Sequence, residues 1–529
     1  AGVLALALFL RTWGLRFGLP YLEHPDEWAV ADEAARMLRT GDYRPFSYTY
    51  PTLVIYLQVG VAAAHFLWGA GAGLYRDLAD LAPVHFYPWM RALSAALGTG
   101  GVLLTYVAGR MLYGRATGLA AAALLAVLPL AVGDAHYATT DTPSMFFTML
   151  AFVAIVRLGL VDVPRRERYA AALLAGLATG LAAAAKYNVA VLVVPLTLAV
   201  ALAARMNEER GTRNEERGTR DEERGTTGDR ARSLVVLGLL WAGLGLLLGF
   251  TLGVPLWLRE LPRLVDDLAS IVVHYRFTGH PGAESSRPGL FYWGALANEG
   301  LLAACAMLGG LLLAFVRRRR ADLLVLAFVV PAVLQLTSVK VVFFRNAVPL
   351  LPFLCLLAAA ALVALVERTT NDRRLMAGDG RRTTADRLGD PAEVPAGQVF
   401  GHRRLVVGRW SLVVGRPLLL ALAVALVAAE PLARSLHDEQ LRARPTTRVL
   451  ATEWVERNAP DGARIWLEDG TLLLSGRLRA EGAQQVTSHD PAWYREHGFR
   501  FLVAHMDRDD KDPAALAARM NEERGTRNE

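Results

Sequence analysis

The sequence predicts an all-α polytopic membrane protein followed by a small α/β domain, and three observations carry that prediction. Of its 529 residues, 53% are hydrophobic, with a mean hydropathy of +0.28. Apolar runs long enough to cross a bilayer recur along the first 430 residues. The connectors between those runs alternate in arginine content. Crossing ~30 Å of hydrocarbon takes about 18 or more apolar residues, and a soluble chain of this length rarely repeats such runs.

The opening run "AGVLALALFL" reaches Arg11 after ten apolar residues, too few to cross, and no basic segment of a signal peptide precedes it. The expectation is that the true N-terminus lies upstream. Further runs follow at 88–109, 116–133, 142–160, 169–186, 188–204, 233–258, 291–316, 321–338, 343–366 and 416–430. With the opening run, that makes about 11 expected spans in a transmembrane domain covering 1–430.

Arginine orients them. Connectors 110–115, 157–168 and 317–320 ("RRRR") are basic, and 367–416 holds ten arginines, as cytoplasmic loops do. Residues 18–87 instead carry eight Asp/Glu against four Arg, and "GDAHYATTD" (133–141) has two Asp and no base. Residues 18–87, 134–141, 186–188, 259–290, 339–345 and 431–529 therefore fall outside. The scheme survives only if the apolar stretch 50–74 does not cross fully, so it is read as a re-entrant or interface-lying helix within a large first external loop. The modest net charge of +7 sits in these loops, which points to membrane topology and away from nucleic acid. Cys305 and Cys355 both lie inside predicted spans and form neither a disulfide framework nor a zinc site.

Residues 205–232 repeat a seven-residue unit, "NEERGTR NEERGTR DEERGTT", without apolar a/d positions, so a coiled coil is excluded and a solvated cytoplasmic insert is expected. "ALAARMNEERGTRNE" occurs at 201–215 and again at 515–529, on opposite sides by this topology, which suits duplicated DNA better than a shared function. In 431–529, "RVLATEWVERNAPDGARIWLED" reads as an amphipathic helix, a turn at 458–462 and a strand, and "FRFLVAH" (499–505) as a second strand: a small external α/β domain.

Polar residues along the spans are sparse and collect at the outer end. His24, Asp26 and Glu27 follow the opening run; Asp134, His136 and Asp141 follow the third span; Lys186 and Tyr187 divide the fifth from the sixth; Lys340 and Arg345 precede the tenth. Of 57 Lys plus Arg, three are lysine, and Lys186 and Lys340 are two of them; a lysine retained among arginines suggests a fitted contact. Each feature has a plainer explanation. Pro25-Asp26-Glu27 and Asp141-Thr142-Pro143 suit helix N-termini. Lys186 and Arg345 could be interfacial anchors, and Gly176/Gly180 and Gly245/Gly249 are small-xxx-small packing pairs. What favours chemistry is coincidence: acids and bases from four connectors at one depth suit a reaction between a lipid-borne phosphate and a polar acceptor.

"HPDE…GDY…YPTLVIYL", "HYATTDTPSMFFTMLAF", "GLAAAAKYN" and "FFRNAVPLLPFL", in this order, resemble bacterial membrane glycosyltransferases of the GT-C fold, in the protein O-mannosyltransferase and aminoarabinose-transferase branch. The likeness covers about 1–366. It implies a polyprenyl-phosphate-linked sugar as donor and transfer outside the cytoplasmic (inner) membrane, on the periplasmic face, to a protein, glycan or lipid hydroxyl. The family's first acidic pair matches Asp26 and Glu27, its second acid Asp141 and its basic residue Lys186, with Arg345 a looser match; Asp134 and His136 are neighbours. The resemblance makes Asp26 the general base or a ligand of a hard cation.

The chemistry agrees: attack at the anomeric carbon, inverting it, needs a carboxylate on the acceptor hydroxyl and positive charge on the departing phosphate. Asp26, Glu27 and Asp141 are the catalytic candidates and also the candidate ligands of Mg²⁺ or Mn²⁺. Lys186, Arg345 and Lys340 are the phosphate candidates, and His24, Asp134, His136 and Tyr187 the candidate substrate contacts. The lipid would enter between helices, with 50–74 lining its groove. Thr52 stands where a second proline often follows "YP". The rival reading is a lipid or sugar transporter or flippase, which would place ionisable groups at the midplane on broken helices, often with internal repeats. Here the midplane is nearly clean apart from Glu299, and no half-to-half repeat is visible.

Overall fold

A computed structural model describes residues 1–81, 83–161, 164, 167–215, 227–385, 402–468, 472–482, 486 and 489–504. The chain divides into two compact units, one of residues 1–15 and 24–440 and the other of 16–23 and 441–529. Among the described residues nine helices are long and apolar enough to cross a membrane, or ten if one bent pair counts as a span.

The larger unit is helical. Helix α1 (Gly2–Thr12) is followed by α2 (Glu27–Thr40), α3 (Thr52–Gly71) and α4 (Pro83–Tyr113). A broken pair comes next, α5 (Arg115–Val127) and α6 (Pro129–Gly133). Then come α7 (Asp141–Leu160), α8 (Arg168–Ala185), α9 (Val193–Glu215), α10 (Thr227–Gly253) and the amphipathic α11 (Leu261–Val273). Helices α12 (Pro288–Asn298), α13 (Leu301–Arg317), α14 (Arg320–Thr337), α15 (Leu351–Ala385) and α16 (His402–Arg442) complete it.

Two of the 11 expected spans fall short, a third (116–133) is the bent pair, and Thr52–Gly71, expected not to cross fully, is among the nine helices long and apolar enough to do so. Helix α1 has 11 residues. The run 291–316 breaks between α12 and α13, where Gly300 takes φ +123°, a conformation L side chains rarely adopt. Residues 52–71 form one continuous helix that meets α4 at a single level: Gln58 Nε2 donates to Met90 O (3.2 Å), and His65 and Trp68 both pack on Trp89. The stretch 367–416, expected as a loop, continues as helix through 385 and resumes at 402. The centre of the heptapeptide insert (216–226) and the second copy of the 15-residue repeat lie outside the described residues.

Gly176 and Gly180 of α8 lie against the backbone of α10, and Gly245 and Gly249 of α10 lie against that of α8, so a methyl group at any of the four would strike a main-chain atom. The pair α5/α6 bends by 66° at Pro129, which has no N–H to give Leu125 O. The groups freed there are satisfied from elsewhere. Buried Arg11 donates to Leu125 O (3.2 Å) and Ala126 O (3.0 Å), Ser435 Oγ donates to Val127 O (2.8 Å), and the Glu299 carboxylate accepts from Leu130 N (3.1 Å). A cation thus sits at the carbonyl end of one half-helix and an anion at the amide end of the other, as their dipoles favour.

Helices α7 and α8 present their candidate site residues at the end away from the basic connectors. Asp141 opens α7 and Arg157 lies in its last turn, while α8 begins at Arg168 and ends before Lys186. At the opposite end, Arg317 and Tyr113 both bond Asp322 of α14.

In the smaller unit, α17 (Thr447–Asn458) precedes β1 (Arg464–Leu467), β2 (Arg479–Glu481), α18 (Pro491–Glu496) and β3 (Phe499–Val503). The sheet is parallel with order β2-β1-β3, Ile465 opposite Phe501 and Trp466 opposite Leu502. Val455, Ala459, Ile465 and Leu467 pack together, and Trp466, Tyr494 and Phe499 form a second cluster. The helix and both outer-sequence strands match the expectation. Strand β2 was not foreseen because its three residues, "RAE", are exposed and carry no hydrophobic pattern.

Candidate active site

Asp26 precedes the first turn of α2. Its Oδ2 pairs with Arg345 Nη2 at 2.9 Å and its Oδ1 accepts from Tyr50 Oη at 3.0 Å. Its amide donates to His24 Nδ1 (3.1 Å), whose ring packs on Tyr137 with centroids 4.7 Å apart. Burial pushes the His24 pKa below its ordinary value, against the pull of the Asp26 charge, so the ring is neutral at pH 7. Burial and then the Asp26 charge push the Tyr50 phenol up, which keeps it a donor.

Asp141, the first residue of α7, forms an ion pair with Lys186, which sits where α8 ends. Lys186 Nζ also donates to Asn346 Oδ1 at 3.2 Å. Arg345 and Asn346 are neighbours on the 3-10 turn Phe344–Leu350, so a single turn engages both acid–base pairs. Asp134, buried, accepts from Thr142 Oγ1 at 2.7 Å. The Arg345 guanidinium stacks over Phe343 at 4.2 Å. The stretch before Arg345 is tied to residues 275–285 by Lys340 N to Tyr275 O (3.0 Å), Val342 N to Ala283 O (2.8 Å) and Ser285 N to Lys340 O (3.0 Å). Tyr48 holds the segment between α2 and α3 to α11, donating from its amide to Asp267 (2.6 Å) and from its hydroxyl to Glu260 (3.1 Å).

The structure thus brings together His24, Asp26, Asp134, Asp141, Lys186 and Arg345. Four candidates stand apart from that cluster. Glu27 is fully buried and turned inward, held by Arg91 through two contacts of 2.8 Å and by Ala138 N at 2.9 Å. His136 is buried and pinned between Val132 O, Trp13 O and Glu439. The Lys340 side chain is exposed and joins none of the ion pairs above. Tyr187 has a buried hydroxyl with no hydrogen-bond partner among the described residues.

Residues 5–214 match the family model of dolichyl-phosphate-mannose-protein mannosyltransferases. The fold resembles the crystal structure of ArnT from Cupriavidus metallidurans bound to undecaprenyl phosphate, with TM-score 0.52 and 16% identity over 88% of this chain and 82% of that one. The chain has the ArnT-like GT-C fold. The archaeal oligosaccharyltransferase AglB from Archaeoglobus fulgidus, in complex with an inhibitory peptide and a dolichol-phosphate, aligns at TM-score 0.47 and 12% identity over 88% of this chain and 62% of that one. No curated protein sequence matches the chain.

The expected metal ligands do not form a set. Asp26 is paired with Arg345, Glu27 with Arg91 and Asp141 with Lys186, and among the described residues no three His, Cys, Asp or Glu side chains are grouped to hold an ion. An apolar cavity of about 230 Å³ lies among α12, α13, α14 and the start of α15. Ala347 and Tyr292 line it, as do Leu311, Leu336 and Leu354, whereas no residue of 50–74 does.

Sequence reasoning missed Tyr50, Asn346 and Arg91. Arg91 carried a signal: an arginine inside an apolar run needs a partner. Its partner is 64 residues away, a separation no local pattern reveals.

Proposed function

We propose that this enzyme transfers a sugar from a polyprenyl-phosphate-linked donor to an acceptor hydroxyl at the outer face of the cytoplasmic membrane, with Asp26 as general base. The observation that carries the reading is the paired arrangement of two carboxylates and two cations around one turn: Asp26 with Arg345, and Asp141 with Lys186 and Asn346. In the reaction Asp26 accepts the acceptor's hydroxyl proton as that oxygen bonds to the anomeric carbon. The bond from that carbon to the phosphate oxygen breaks, its electron pair stays on the polyprenyl phosphate, and the centre inverts. Arg345 and Lys186 stabilise the charge that develops on the leaving phosphate. Asp141 positions Lys186, and buried Asp134 supports the same connector through Thr142. Glu27 acts one step removed, by fixing the start of α2 and Ala138 to Arg91.

The apolar cavity beside Ala347 suits the first isoprene units of the lipid, next to the turn that carries Arg345 and Asn346. The outward orientation rests on the arginine-rich connectors, which lie at the helix ends opposite the cluster. The acceptor is a protein, glycan or lipid hydroxyl. The test is release of polyprenyl phosphate from radiolabelled undecaprenyl-phosphate sugars by the enzyme in nanodiscs with cell-envelope acceptor. The expected result is release by the unmodified enzyme and loss of about 10²-fold or more in Asp26→Asn. Equal release by both would remove Asp26 from the role of base.

A further inference from the structure

On this reading of the site, each of the two candidate phosphate cations is engaged by a carboxylate. Arg345 Nη2 lies 2.9 Å from Asp26 Oδ2, and Lys186 is paired with Asp141. Arg345 occupies Asp26 Oδ2 and Tyr50 occupies Oδ1, so the pair as it stands blocks an acceptor hydroxyl from Oδ2. A phosphate is the natural competitor, because a guanidinium binds phosphate oxygens in the same forked geometry it offers a carboxylate. The Asp26–Arg345 pair is reachable: its side chains are 19% and 24% exposed, against 4% and 15% for Asp141 and Lys186. Asp26 also has a second, uncharged partner on its other oxygen, Tyr50 Oη at 3.0 Å.

We propose that the donor's phosphate exchanges for Asp26 on Arg345, releasing the base to Tyr50 alone, so that binding is ordered with donor before acceptor. Tyr50 is the positioning residue that keeps Asp26 aimed once Arg345 has left it. Tyr50 touches neither phosphate cation in the resting enzyme, so its loss affects turnover and leaves phosphate affinity unchanged.

The exchange makes a counterintuitive prediction: neutralising the base tightens binding of the lipid phosphate. The experiment measures binding of undecaprenyl phosphate, with undecaprenol as uncharged control, to the full chain in nanodiscs. Asp26→Asn is expected to bind undecaprenyl phosphate about 5-fold more tightly, the worth of a partly exposed ion pair. Undecaprenol binding should not change. In an Arg345→Gln background the same substitution is expected to change nothing, because no guanidinium remains to be released. Tyr50→Phe is expected to keep phosphate affinity within about twofold while kcat falls at least 10-fold, the worth of a hydrogen bond to a charged group.

Tightening that persists in Arg345→Gln would reflect removal of a negative charge rather than release of the arginine, and would overturn the proposal. So would equal or weaker binding by Asp26→Asn. A Tyr50→Phe enzyme with full kcat would overturn the positioning role. Failure of the unmodified chain to prefer undecaprenyl phosphate over undecaprenol is a different result: it would overturn the donor class, and this proposal with it.

Discussion

Two adjacent acids, Asp26 and Glu27, should respond to neutralisation in opposite ways. Glu27 and Arg91 are both wholly buried, joined by two contacts of 2.8 Å, with Ala138 N on Glu27 at 2.9 Å and Arg91 Nη1 on Leu15 O at 3.0 Å. In Glu27→Gln the amide keeps an acceptor for Ala138 but turns an uncharged group to Arg91, leaving a guanidinium without a counter-charge where water does not reach. Breaking a buried pair in this way costs about 3–5 kcal/mol. Asp26 and Arg345 are partly solvated, so Asp26→Asn costs about 0–1 kcal/mol. The assay is reversible unfolding of the purified enzyme in mixed micelles, with turnover of a labelled lipid-linked sugar followed in parallel. Glu27→Gln is expected to lose most of its folded population and to keep activity per folded molecule within about 10-fold. The double variant Glu27→Leu/Arg91→Leu should recover part of that stability, since it removes both charges. A Glu27→Gln enzyme of unchanged stability and abolished turnover would refute the reasoning and put Glu27 beside Asp26 in the chemistry.

Three further outcomes follow from the same geometry. His24 is held neutral by burial, so below about pH 6.5 the unfolded chain binds a proton that the folded chain does not, and stability falls with pH; His24→Asn should flatten that slope in unfolding curves measured from pH 7.5 to 5.5. Each expected metal ligand is already paired with a cation, so turnover after exhaustive EDTA dialysis should match the untreated enzyme, and loss restored by Mg²⁺ or Mn²⁺ would contradict this. Glu299→Leu uncaps Leu130 N and should cost about 1–3 kcal/mol by the same unfolding assay, whereas Glu299→Gln, which retains an acceptor oxygen, should cost less.

Most of the spans, and the gathering of polar residues at one set of helix ends, were legible because both depend on features additive along the chain: apolar length and arginine placement. The clustering of Asp26, Asp141, Lys186 and Arg345 was legible for a related reason. Each stands at a helix end, where a polar residue next to an apolar run is conspicuous. Glu27 was misplaced by the same logic. The sequence presents Asp26 and Glu27 as equivalent, but one step along the start of a helix turns a side chain by about 100°, and that rotation carries Glu27 to Arg91 in the interior while Asp26 meets Arg345 and Tyr50. Nothing local to "HPDE" encodes which acid turns in; Arg91, near the start of the 88–109 run, decides it.

Glu299 illustrates the same limit from the other side. Read alone, a carboxylate within an apolar run suggests transport chemistry. In the fold it lies at a break, and its carboxylate accepts from the amide that a second break exposes at Leu130, while Arg11 and Ser435 satisfy the carbonyls on the far side of Pro129. Three residues from distant parts of the chain therefore stabilise one bend. That bend leads directly into Asp134 and Asp141. Polar groups inside the apolar runs thus serve to hold a non-helical connector at a fixed place, and the groups that bear on the chemistry are those the connector presents. This division accounts for the crowding of ionisable groups at the helix ends opposite the basic connectors.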